Sequence, residues 1–212
     1  GMYNDASSPT LTDCTFEDNS GQDGGGMCNL QDSSPTLANC TFENNISSRW
    51  GGGMYNLASI STLADCVFGG NSAGGGGGGM YSDDGSSSAL ANCAFIGNSA
   101  AEYGGGIMLN SSNADLDDCQ ILNNTAAYGA GFAQIEGGCF STLDNCVFDG
   151  NQSIGEDGDG GGFYASAGSG GSNQATFTGC TISENAAEWR GGGVSVHSGA
   201  NITLVTCMVT GN

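Results

Sequence analysis

Lysine is absent from this chain, and Arg49 and Arg190 are its only basic residues apart from one histidine; twenty-two acidic residues oppose them, for a formal net charge of −20. A chain so charged repels other polyanions, which excludes nucleic acid and anionic membrane surfaces as partners. A single histidine, His197, supplies neither a multi-histidine metal centre nor, unaided, a catalytic triad. No run approaches the roughly 20 apolar residues that a membrane-spanning helix needs. Proline occurs only twice, and no stretch has the period of an amphipathic helix.

Glycine is what the chain has in excess, with 40 in 212 residues, and its glycines recur with a period. A glycine triplet followed by an apolar residue appears at Gly24 to Met27, Gly51 to Met54, Gly77 to Met80, Gly104 to Ile107, Gly129 to Phe132 (with Ala130 in the middle), Gly160 to Phe163 and Gly191 to Val194. Between the triplets runs a second marker, Leu-x-Asx-Cys-x-Phe-x-x-Asn, complete at Leu11, Asp13, Cys14, Phe16 and Asn19. Its cysteines are Cys14, Cys40, Cys66, Cys93, Cys119, Cys146, Cys180 and Cys207, spaced 26, 26, 27, 26, 27, 34 and 27. A fixed period of this length is the mark of a solenoid. The one long interval holds Gly155 to Asp159 and Gly168 to Asn173, so residues 151–173 are expected to carry loop insertions on an otherwise single β-helix segment, 1–212.

Each repeat contains short pieces in which apolar and polar residues alternate, such as Thr10-Leu11-Thr12 and Cys14-Thr15-Phe16, which is the period of a strand. The Asp or Asn before the first six of these cysteines, replaced by Gly179 and Thr206 before the last two, suits a left-handed bend, and the glycines suit another corner. The expected fold is all-β, a right-handed parallel β-helix of about eight coils of about 26 residues with three short strands each. One coil cannot bury its own apolar residues, but stacked coils set each on its copy roughly 4.8 Å away. The Leu11, Phe16 and Met27 families should therefore form internal columns, and the Asn19 family a ladder of hydrogen-bonded amides.

These Phe-x-x-Asn and Gly-Gly-x-apolar repeats resemble those of the chlamydial polymorphic outer-membrane proteins and similar bacterial right-handed β-helix proteins. The resemblance spans nearly the whole chain and implies the same fold; such β-helices include adhesins, autotransporter passengers and pectinolytic enzymes. This chain departs from the group in carrying a cysteine in every copy and Gly where Ala is common.

The candidate chemistry is sparse. A lyase needs a basic residue beside carboxylates, yet Arg49 and Arg190 lie about five coils apart, or roughly 25 Å. A hydrolase needs paired carboxylates, and Asp117 and Asp144 occupy equivalent places on neighbouring coils, where one solvated acid per coil produces such pairs automatically. Calcium is the one cofactor suggested, at Asp157 and Asp159 in a glycine-rich acidic loop; Asp83 and Asp84 form a similar cluster. His197 reads as a surface residue. Trp50, Tyr103, Tyr128 and Trp189 all flank glycine motifs and should gather at one corner, packed over the glycines, with stacking on sugar as the functional alternative. Of six sequons, at Asn39, Asn45, Asn110, Asn123, Asn151 and Asn201, those at Asn45 and Asn151 belong to the internal ladder and should be unavailable; if the source is eukaryotic, Asn110 and Asn201 are the better glycan attachment candidates.

The eight ladder cysteines should face inward, where free thiols stack without strain and disulfides between adjacent coils need slight compression; mostly free, buried thiols are expected. Cys28 and Cys139 lie off that ladder, and Cys28 takes the place of Tyr3, Tyr55 and Tyr81, which should face outward. The chain is expected to be a non-enzymatic structural or adhesive rod at the cell surface or outside the cell, with a polysaccharide-acting enzyme as the alternative. Its expected partners are further coils or subunits of the same protein stacked head to tail, and a carbohydrate or host-surface ligand.

Overall fold

A computed structural model of the chain, in which residues 1–168 and 171–212 are described, winds the repeat into a stack of in-register coils. Part of the expected insertion at 168–173, namely Ser169 and Gly170, lies outside the described residues. Strands recurring once per coil form four parallel sheets of eight, eight, eight and seven strands. In the second coil sheet I is represented by Met27–Leu30, sheet II by Thr36–Ala38, sheet III by Thr41–Glu43 and sheet IV by Ile46–Trp50.

The sequence pattern anticipates three strands per coil, and the structure has four. Sheet IV was hidden because most of its strands are two residues long, such as Ser72–Ala73 and Ser99–Ala100, and lack apolar alternation. Pairing joins equivalent positions, with one register shift between Gly21 and Asp23 in sheet IV: Leu63 stands opposite Leu37 and Leu90, and Phe68 opposite Phe42 and Phe95.

Left-handed residues make the corners. Asp13, Asn39, Asp65, Asn92, Asp118 and Asn145, each just before a ladder cysteine, all have φ between 52° and 55°. Asp and Asn tolerate this conformation better than most residues. They also alternate along the stack, so an amide separates like charges; Asn92 donates to Asp65 Oδ1 at 2.6 Å. The glycine triplet has two distinct causes. Its first member has positive φ, +67° at Gly77, whereas a Cβ on its third, Gly79, would stand 2.6 Å from the Gly106 carbonyl and 2.8 Å from the Phe95 ring.

The interior is a set of columns. Phe16, Phe42, Phe68 and Phe95 stack at 4.6 to 4.7 Å with their planes within 6° of parallel. Leu37, Leu63, Leu90, Leu116, Leu143 and Phe177 are buried, while Leu11 is half-buried and Leu204 is 46% exposed because the outermost strands have a neighbour on one side only. In the asparagine ladder each Oδ1 from Asn45 onward accepts two bonds from the coil before it: Asn98 Oδ1 takes the Asn71 backbone N–H and the Asn71 side-chain amide, both at 2.9 Å. Asn98 Nδ2 spends its own hydrogens on Asn124 Oδ1 and the Phe68 carbonyl. The buried rungs of the ladder are thus satisfied within the core.

A second internal polar column was not anticipated. Asn4 donates to Asn29 at 2.7 Å and Asn29 to Asn56 at 2.8 Å, all three buried within sheet I. The ladder thiols are free and most are buried, each turned onto a nearby carbonyl, as Cys40 Sγ onto Ala38 at 3.3 Å.

The position of Cys28, Tyr55 and Tyr81 faces outward, as expected, yet it is covered. These side chains do leave the coil interior, but Cys28 and Tyr55 are only 8% and Tyr81 only 2% exposed, because they form a second cluster on the outer face of sheet I. Trp50 covers it, stacked on Tyr81 with ring centroids 5.2 Å apart. Burial raises the Tyr55 hydroxyl to about 12, with nearby Asp83 and Asp23 adding to the shift.

Candidate functional site

Two regions on the outside of the stack bring chemistry-bearing side chains together. The first is the outer face of sheet II, where strand alternation turns Leu143 inward and therefore Phe140, Thr142 and Asp144 outward. Phe140 is 48% exposed. It shares a cavity of about 390 Å³ with Asn113, Asp115, Thr142, Gln174 and Thr176, and these residues occupy neighbouring strands.

An adjoining cavity of about 290 Å³ shares Asp115 and Thr142 with the first and continues over Ala64, Ala89, Ala91, Asp117 and Asp144. The small alanines make its floor low. Asp117 and Asp144 are in register on adjacent strands, as the spacing implied, and both are exposed. Asp115 accepts a hydrogen bond from Thr142, so one carboxylate of the trough is already oriented. Phe140, Asn113 and Gln174 were missed from the sequence, although the parity of Phe140 against Leu143 contains the signal.

The second region lies on the outer face of sheet I, at the last two coils. Asp159 Oδ2 stands 3.0 Å from His197 Nε2, and Ser195 Oγ is 3.0 Å from the same nitrogen. Tyr164 packs on the imidazole with ring centroids 5.1 Å apart. Burial, with help from the Asp159 charge, raises the Tyr164 hydroxyl above its ordinary range. Both oxygens address one ring nitrogen, so this is not a nucleophile relay, in which serine and carboxylate must hold opposite nitrogens.

His197, expected at the surface, is thus half-buried and held by groups from two coils. Asp159 turns to it while Asp157 is exposed, so the two acids expected to share a calcium ion have different surroundings. Among the described residues no group of three or more His, Cys, Asp or Glu side chains is arranged to hold a metal ion.

The remaining candidates are dispersed. Arg49 pairs with Asp23 at 3.6 Å, and Arg190 lies 3.9 Å over the Trp189 ring, so the two arginines serve separate places. Tyr103 stacks with Tyr128 at 5.1 Å, in keeping with a packed glycine corner, whereas Trp189 is 54% exposed. Asn110 donates to the Tyr81 hydroxyl at 3.2 Å and its Oδ1 is buried, while Asn201 is exposed on sheet II. Asp83 bonds Tyr81 and the Asp84 backbone N–H, and burial raises its carboxyl above the usual range.

A family model described as "Right handed beta helix region" matches residues 1–101 and 76–212, and so covers the whole stack. The chain belongs to the right-handed β-helix family. Comparison with curated proteins and with solved structures finds no match. Membership explains the coil-on-coil pairing of this β-helix, but the family's fold is a scaffold and the chemistry must be argued from the two regions above. No helix among the described residues is long and apolar enough to cross a membrane.

Proposed function

We propose that this β-helix is a structural and adhesive element of an extracellular surface, binding a neutral or amino-sugar glycan along the outer face of sheet II. The observation that carries this reading is Phe140, an exposed ring standing beside Asn113, Asp115, Thr142 and Gln174 in one trough. An apolar ring receives the C–H face of a sugar, and planar amides and carboxylates bond its hydroxyls. The trough runs across several coils, which suits an extended chain. Its carboxylates Asp115, Asp117 and Asp144, in a molecule of net charge −20, disfavour uronic acids and other anionic sugars.

Binding is favoured over cleavage for two reasons. Neither arginine lines the trough, so the base of a lyase has no counterpart there. Asp117 and Asp144 are both exposed, and a hydrolase must keep one acid protonated, commonly by burial. The adhesive reading also agrees with the resemblance of the repeats to bacterial surface β-helices.

A glycan array followed by calorimetry on the best ligand tests the proposal. Binding should be confined to neutral or amino-sugar oligosaccharides and fall at least tenfold in Phe140→Ala, with no new reducing ends or unsaturated products on long incubation. Release of such products, or affinity indifferent to Phe140→Ala, would contradict it.

A further inference from the structure

We propose that Asp159, Ser195 and His197 form a binding site for one divalent transition-metal ion of the zinc class, built where sheet I passes from its seventh strand to its eighth. Each of the three occupies a row that holds aromatic or aliphatic residues in several other coils, although Asp23 and Asp83 also appear in two of those rows. In the parallel ladder that runs Tyr103, Tyr128, Asp159, Arg190, the third member exchanges an aromatic ring for a carboxylate, and the Arg190 guanidinium beyond it is stacked on Trp189. Ser195 stands opposite Tyr164, in the row that holds Tyr55 and Tyr81 in earlier coils. His197 follows Val196 on the edge where Leu30 and Leu57 close the apolar cluster of the second and third coils. Where those coils pack rings and aliphatic chains, the last two present an imidazole, a carboxylate and a hydroxyl.

Hydrogen bonding alone leaves the cluster unsatisfied. An imidazole nitrogen has either one proton or one lone pair, so Nε2, with both oxygens at 3.0 Å, either shares a single N–H between Asp159 and Ser195 or accepts from Ser195 and leaves Asp159 Oδ2 without it. The Asp159 side chain is only 5% exposed, and its Oδ1 is buried with no hydrogen-bond partner among the described residues. A buried, half-satisfied carboxylate is costly, and a bound cation is one of the few things that relieve it.

A tetrahedral ion with ligands at about 2.0 to 2.2 Å sets neighbouring donors roughly 3.3 Å apart. The two distances of 3.0 Å at Nε2 need only a few tenths of an ångström of expansion to match. His197 is 28% exposed, which leaves water to fill the fourth position. The backbone is already fixed: the His197 N–H donates to the Ala165 carbonyl at 2.8 Å, and the Asp159 carbonyl accepts from Gly129 at 2.9 Å. A nitrogen donor selects the zinc class over calcium, which takes oxygen ligands. The site therefore differs from the loop of Asp157 and Asp159 expected from sequence. It uses Asp159 with the next coil.

The chain has one imidazole, which makes the test unambiguous. Nitrogen-15-labelled protein, with its thiols kept reduced, is titrated with zinc chloride at neutral pH while the His197 ring is followed by long-range proton–nitrogen correlation. The expected result is a metal-ligated Nε2 signal that saturates at one equivalent, weakened at least tenfold in Asp159→Asn and several-fold in Ser195→Ala, and unchanged in Asp157→Asn. Zinc taken up by cysteines alone leaves the ring signals in place and counts against the proposal. So does a ring response that is the same in Asp159→Asn. Should Asp159→Asn disturb the amide spectrum, the wild-type ring still decides: signals that ignore excess zinc overturn the assignment.

Discussion

Replacing Asn98 with Leu removes one rung from the middle of the asparagine ladder, and the structure says what is stranded. The Asn71 backbone N–H loses its acceptor, one hydrogen of the Asn71 amide loses the same acceptor, and the Phe68 carbonyl loses the Asn98 amide. All three lie in the buried interior, where a group left without its partner costs about 1 kcal/mol or more, for a total of about 3 kcal/mol. The added apolar volume of leucine recovers little, because Asn98 is fully buried between Asn71 and Asn124 in a packed column. Asn19 is the matched control. It is half-exposed, and its amide makes a single ladder bond, to Asn45, so Asn19→Leu should cost less than about 1 kcal/mol. Urea unfolding followed by circular dichroism reads both, through the midpoint at constant slope. If Asn98→Leu stays within about 0.5 kcal/mol of the parent, or costs no more than Asn19→Leu, the ladder is not the structural element argued for here.

Further outcomes follow from the same packing. Leu90→Ala, at a position 2% exposed, should lose about 2 to 5 kcal/mol in the same urea assay through the cavity it leaves. Gly79→Ala should abolish the cooperative transition or lower its midpoint more than Leu90→Ala does, since the new methyl meets a carbonyl at 2.6 Å and the Phe95 ring at 2.8 Å. The Cys28 thiol is pushed up to about 11, by burial first and by the Asp23 charge second, so its reactive thiolate appears only as pH rises toward that value. Iodoacetamide at pH 8 should accordingly leave Cys28 unmodified in the folded protein, as read by peptide mass spectrometry, and label it after unfolding.

Much of the fold was legible because a solenoid writes each column into the sequence at a fixed period. Leu90, Phe68 and Asn98 could be placed inside from spacing alone, and the bend before six of the eight ladder cysteines from its Asp or Asn. Sheet IV was not legible, since a strand as short as Ser72–Ala73 has no period to detect. Nor was the covering of Tyr81, because alternation says which way a side chain points and not whether Trp50 will fold over it. The site residues were hardest to read. His197 and Asp159 are 38 positions apart and meet only because the coils stack, and Asp159 enters through the one interval that departs from the period. A departure from an internal repeat was the available signal, and it marked the loop without naming the partner.

The central claim is that the chain is a stack in which equivalent residues are separated by whole numbers of one strand spacing. Spin labels introduced as encoded amino acids at Thr15, Gln120 and Met208, exposed members of one row of sheet III, measure this by pulsed electron resonance. Four spacings from Thr15 to Gln120 predict about 19 Å, and seven from Thr15 to Met208 predict about 34 Å, each before the reach of the labels. Two narrow distributions whose separation matches three further spacings would support the stack; equal distances, or a Met208 label nearer to Thr15 than the Gln120 label, would contradict it.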